Sequence, residues 1–70
     1  KTPESELKRL MIKMGLNQTS LAPFLEISRG RMSEVMTGKK RLPINGIRCA
    51  VELGADPAIM LKPFKCELAN

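Results

Sequence analysis

The chain of 70 residues has no histidine, no tryptophan and no tyrosine, and only two phenylalanines and two cysteines. Without histidine it lacks the usual general base at neutral pH and the commonest metal ligand, which excludes Ser-His and Cys-His nucleophilic chemistry. Cys49 and Cys66 are too far apart for a CxxC pair and supply at most half of a four-ligand zinc site, so neither a metal nor any other cofactor is expected. No nucleophile, base and oxyanion set can be assembled from what remains, and the chain is not expected to be an enzyme or to take a small-molecule ligand. Nothing points to an oxidising compartment, so the cysteines read as reduced thiols, Cys49 as a small core residue and Cys66 in a mobile tail. No apolar run approaches the roughly 20 residues of a membrane span and no signal-peptide core is present, so the expectation is a cytoplasmic protein with no membrane partner. Strand alternation, internal repeats and low-complexity segments are also missing.

What is present is 43% hydrophobic and 27% charged residues, the balance of one small globular domain over residues 1–70. A chain this short buries only about 60% of its unfolded surface, so a partner or a second copy would help stabilise it. Lysine and arginine number 12 against 7 acidic residues, a net +5, which favours an anionic partner such as nucleic acid or a membrane surface. Charge alone does not choose between them.

The apolar pattern predicts short helices. Thr2-Pro3 opens the first, with Glu4 and Glu6 at the positive end of its dipole. Leu7, Leu10, Met11 and Met14 form one apolar stripe, and Gly15 ends the helix. Asn17 caps a second helix from Gln18 to about Leu25, in which Pro23 removes the bond to the Thr19 carbonyl, so a kink or a distorted last turn is expected. Ser28 caps a third helix from Arg29 to Thr37, closed by Gly38. Residues 39–43 form a loop, Ile44, Ile47, Ala50 and Val51 mark a fourth helix ending at Gly54, and Asp56-Pro57 caps a short fifth. Phe64 to Asn70 is a tail without a pattern. The fold class is therefore all-α, a five-helix bundle.

The charge is concentrated in one stretch. Residues 28–43 carry Arg29, Arg31, Lys39, Lys40 and Arg41 against Glu34, five cations and one acid, a net +4 of the total +5. On a helical wheel Met32, Val35 and Met36 point inward, while Gly30, Ser33, Glu34 and Thr37 point outward with Arg29 and Arg31 on the flanks. An outward face with small residues at its centre and guanidinium groups at its edges suits a helix lying in a nucleic-acid groove. A solvated basic face is the plain alternative.

From Leu16 to Pro43 the string LNQTSLAPFLEISRGRMSEVMTGKKRLP resembles the helix-turn-helix of lambda repressor-like regulators, the Cro and phage-repressor family. Asn17-Gln18 at the start of helix two, Ala22 at the helix contact, Ile27-Ser28 opening helix three, Val35 in its core and Gly38-Lys39 closing it carry the likeness. The helices before and after it match the family's five-helix order. The resemblance implies a sequence-specific double-stranded DNA-binding regulator, a phage or prophage Cro-like protein or repressor, which binds a palindromic operator as a homodimer that forms in solution or only on DNA. It further implies that Ser28, Arg29, Gly30, Ser33 and Glu34 face base edges, while Asn17, Gln18, Arg31, Lys39, Lys40 and Arg41 meet phosphates. Arg29 is the leading candidate to grip guanine, and Glu34 either accepts from cytosine or holds an arginine in place. Family dimers commonly pair through the last helix and C-terminal segment, which makes Ile59, Met60, Leu61, Phe64 and Leu68 candidates for the dimer surface, though burial in the monomer core accounts for the first three equally well. Glu26 stands where the family usually has glycine, so it must either adopt a left-handed conformation or adjust the turn. The alternative reading is an antitoxin of the same fold that binds a toxin protein and represses its own operon.

Overall fold

The computed structural model describes residues 1–68, and every regular element among them is a helix. They are α1 (Pro3–Met14), α2 (Gln18–Phe24), α3 (Arg29–Met36), α4 (Ile44–Glu52), α5 (Pro57–Met60) and α6 (Lys65–Leu68). The all-α class is as the sequence predicts, but the helix count differs by one. The segment from Phe64 onward is not a patternless tail: Phe64 is fully buried and α6 follows it directly. A four-residue helix is too short to show a period, which is why the sequence hides it. Ala69 and Asn70 lie outside the described residues. Cys66 belongs to α6 and packs half-buried against the core, so it is not on a mobile tail, and no disulfide joins it to Cys49.

Capping follows the local chemistry closely. At the start of α1 the Thr2 hydroxyl accepts from the Ser5 backbone N–H at 3.1 Å, and the Ser5 hydroxyl accepts from the Thr2 N–H at 3.0 Å. At the far ends one device recurs. Within two residues of the ends of α1, α2, α3 and α4 the chain takes a positive φ, at Gly15, Glu26, Gly38 and Gly54. The N–H of the next residue then reaches back to a carbonyl in the last turn, as in Leu16 to Met11, Ile27 to Ala22, Lys39 to Glu34 and Ala55 to Ala50. Glu26, at φ 59°, is the one side chain in this set that bears a Cβ. Of the two outcomes the sequence left open for it, the left-handed conformation is the one present. Pro23 sits inside α2 and is exposed, and the turn after it is tightened: the Leu25 N–H is shared between the Leu21 and Ala22 carbonyls at 3.2 and 3.1 Å.

The core gathers one or more residues from five of the helices and their connections. Leu7, Leu10, Leu21, Leu25, Met32, Val35, Leu42, Met60 and Phe64 are all fully buried. Of the residues named for a dimer surface, Ile59, Met60 and Phe64 are thus spent on the interior, and only Leu61 and Leu68 are exposed. The first turn of α4 approaches its neighbours so closely that a Cβ on Gly46 would lie 2.7 Å from Leu42 Cδ1 and 3.4 Å from the Leu25 carbonyl. Among the described residues, no helix is long and apolar enough to cross a membrane.

One charged group lies inside. Glu6, 4% exposed, accepts from Arg9 Nε and Nη2 at 2.9 and 2.6 Å and from the Asp56 backbone N–H at 2.7 Å. Arg9 Nη2 also donates to the Gly54 carbonyl at 3.2 Å, so the pair fastens α1 to the turn between α4 and α5. The Arg9 hydrogen bonds, and then the Asp56 N–H, outweigh burial and hold the Glu6 carboxyl at about 2, well below its ordinary 4.5. Such a group stabilises the fold above its unfolded value, and the contribution fades as pH falls from about 4.5 toward about 2.

Two outcomes are expected. Urea unfolding of Glu6→Gln at neutral pH should show a loss of about 1.5 to 3 kcal/mol, and the variant should lose less additional stability than the parent on going to about pH 3. Glu26→Gly relieves the left-handed strain at no packing cost, since Glu26 is exposed, and should raise stability by up to about 1 kcal/mol in the same assay. A clearly less stable glycine variant would contradict the geometry of this turn.

Candidate nucleic-acid interface

The third helix begins where Ser28 leaves extended backbone, its hydroxyl oxygen accepting from the Arg31 N–H at 3.0 Å. That bond satisfies one of the unpaired donors of the first turn and leaves the Ser28 O–H hydrogen available to an outside acceptor. Beyond it the wheel reading holds except at Glu34, which the wheel places outward and which is half-buried. Met32 and Val35 are buried, Met36 is partly covered, and Arg29, Gly30, Ser33 and Thr37 are exposed, with Arg31 and Glu34 half-buried between the two sides. A Cβ on Gly30 would meet nothing nearer than Ser28 Oγ at 4.0 Å, so the centre of the outward face is an open notch. The Thr37 hydroxyl turns back to the Ser33 carbonyl at 2.9 Å and closes the helix.

Past Gly38 the chain folds over the end of α3. The N–H groups of Lys39 and Lys40 both donate to the Glu34 carbonyl, at 2.8 and 3.3 Å, which carries the two lysines round to the helix terminus. The Glu34 side chain lies between cations, 3.9 Å from Arg31 Nε and 3.9 Å from Lys40 Nζ. Arg41 points elsewhere: its Nη1 is 3.3 Å from Glu67 Oε2 of α6, and its guanidinium sits 5.9 Å from the centre of the Phe64 ring. Arg29 and Lys39 have no carboxylate partner among the described residues.

Helix α2, which Asn17 caps and Gln18 begins, packs against α3. Asn17 Oδ1 accepts from the Ser20 N–H at 2.8 Å, so its oxygen is committed to capping α2 and only its amide N–H₂ remains to donate outward. Gln18, the first residue of α2, is exposed. The structure therefore joins Ser28, Arg29, Gly30, Arg31, Ser33 and Glu34 on one helix, with Lys39 and Lys40 at its end and Asn17 and Gln18 on the adjoining helix. Arg41 is held toward α6.

Phe64 and Glu67 are the neighbours that the sequence pattern missed. Glu67 Oε1 accepts from the Phe64 N–H at 2.8 Å, the reach-back half of a capping box, and a glutamate three residues after a helix start is the signal that could have found it. Among the described residues, no group of three or more histidine, cysteine, aspartate or glutamate side chains is arranged to hold a metal. The assembled face is a cationic rim around a small-residue notch, able to meet a polyanion and to bring one unpaired arginine against an uneven surface. Compared with known proteins, the chain finds no matching family model, no matching curated protein and no matching solved structure.

Proposed function

We propose that this chain is a sequence-specific double-stranded DNA-binding regulator, with α2 and α3 serving as a lambda repressor-like helix-turn-helix and α3 lying in the major groove. The observation that carries this reading is the outward face of α3, where Arg29, Gly30 and Ser33 stand exposed in a row backed by the buried Met32 and Val35. A helix with an open centre lets its backbone approach base edges, and an unpaired arginine at its entry has the geometry to grip guanine O6 and N7. Ser28 and Glu34 complete the base-facing set. Asn17, Gln18, Arg31, Lys39 and Lys40 meet phosphates and fix the register, as such contacts do in protein–DNA complexes generally, and Arg41 reaches a phosphate from its place beside Glu67.

Two copies reading a palindrome would present their α3 helices to successive major grooves, about 34 Å or about 10 base pairs apart. The role is that of a cytoplasmic repressor of phage or prophage type, acting by occupying its operator and without catalysis. Selection of bound sequences from a random DNA pool tests the whole reading: a palindrome with that spacing is the expected result, and an unenriched pool would refute it.

A sharper test separates sequence reading from plain attraction to a polyanion. Arg29→Ala should cost about 1 to 3 kcal/mol on the selected operator and far less on scrambled duplex. Lys40→Ala should weaken both DNAs alike and reduce the salt slope by about 1. Fluorescence anisotropy titrations at several salt concentrations measure both quantities, and equal losses for Arg29→Ala on the two DNAs would show that this residue does not read sequence.

A further inference from the structure

Three of the five cations in residues 28–43 are already in contact with carboxylates. Glu34 stands 3.9 Å from both Arg31 Nε and Lys40 Nζ, and Glu67 stands 3.3 Å from Arg41 Nη1. We propose that Glu34 and Glu67 act as internal substitutes for phosphate, occupying Arg31, Lys40 and Arg41 in the free protein and so holding down its affinity for DNA of any sequence. The inference rests on the nucleic-acid reading above.

The two carboxylates are placed by different means. Glu34 is fixed by α3 itself, one turn beyond Arg31 and beneath the loop that returns Lys40 to the helix end through the Glu34 carbonyl. Glu67 is fixed by its cap, because one oxygen accepts from the Phe64 N–H at 2.8 Å while the other faces Arg41. The helix that carries it is docked by the buried Phe64 ring and by a 2.8 Å bond from the Lys65 N–H to Glu4 Oε2. Arg41 thus lies beside an anchored carboxylate and 5.9 Å from the centre of an aromatic ring, so part of its charge is already compensated before a phosphate approaches.

The energetic logic favours specificity. A sequence-independent complex gains mainly from phosphate contacts, so each cation whose charge a carboxylate already compensates adds less to that gain. Arg29, with no carboxylate partner among the described residues, is exempt. The arrangement therefore taxes Arg31, Lys40 and Arg41, which meet phosphate in any duplex, and spares the arginine assigned to a base. Pairs this exposed are weak singly, and each is expected to change affinity by about two- to fivefold.

The test is affinity for a 30-base-pair duplex of random sequence at low salt, comparing the wild-type chain with Glu34→Gln, Glu67→Gln and Glu52→Gln. Glu52, exposed on α4 and in no ion pair among the described residues, controls for the change in net charge. Glutamine at position 67 retains an oxygen to accept from the Phe64 N–H, and far-UV circular dichroism checks that each variant is folded. The expected result is random-duplex binding about two- to fivefold tighter for Glu34→Gln and Glu67→Gln than for Glu52→Gln. The gain from Glu67→Gln should vanish when Arg41→Ala is also present, and the gain from Glu34→Gln should vanish in Lys40→Ala with Arg31→Ala. Binding no tighter than the Glu52→Gln control, or a gain that survives those backgrounds, overturns the inference while leaving the DNA-binding function standing. Failure of the wild-type chain and of every variant to bind duplex DNA overturns both.

Discussion

Every helix here apart from α1 has nine residues or fewer, too few to persist alone in water, so each depends on burial of the one apolar core they share. That dependence explains the placement of Leu21 and Leu25 on α2 and its cap, Met32 and Val35 on α3, and Leu42 in the loop, all fully buried. It also explains the recurrent left-handed stops. A bundle of short helices needs sharp reversals between them, and a positive φ after the last turn satisfies the loose carbonyls while turning the chain back toward the core. Glu26 shows that the reversal between α2 and α3 is imposed by the surroundings, because a side chain with a Cβ holds it there.

The candidate interface inherits its rigidity from that core. Met32 and Val35 fix the roll of α3, so the exposure of Arg29, Gly30 and Ser33 follows from packing on the opposite side. The close approach of Gly46 to Leu42 and to the Leu25 carbonyl sets α4 hard against the turn that aims α3. A helix positioned this way presents its outer face in one orientation, which is what discrimination between similar surfaces requires.

Legibility in the sequence followed the range of the interactions involved. The inward and outward sides of α3 were readable because a period of 3.6 residues places Met32 and Val35 together, and the caps at Thr2, Asn17, Ser28 and Asp56 were readable because each is a local bond over two or three residues. The helical turn at Lys65–Leu68 was not, since four residues show no period and its anchor is Glu4, 61 positions away. The same holds for Glu6. Its acidic first-turn position on α1 was visible, but its burial depends on the Asp56 N–H, 50 residues along the chain. At the candidate site, Ser28 through Lys40 were legible as a block, whereas the attachment of Arg41 to Phe64 and Glu67 was hidden behind the same missing helix.

The bonds that tie α1 to the other extremity of the sequence, Glu4 to Lys65 and Glu6 to Asp56, also order events during synthesis. The first helix leaves the ribosome with its apolar stripe complete, yet groups that close over it lie 50 and 61 positions further along the chain. Until Asp56 and Phe64 emerge, Leu7, Leu10 and the Glu6 carboxylate have no permanent cover. Contacts so distant in sequence slow the final closure relative to the local pairing of α2 with α3. The pairing of α2 with α3 thus rests on contacts close in sequence, while the frame that fixes the orientation of α3 waits on residues far along the chain from α1.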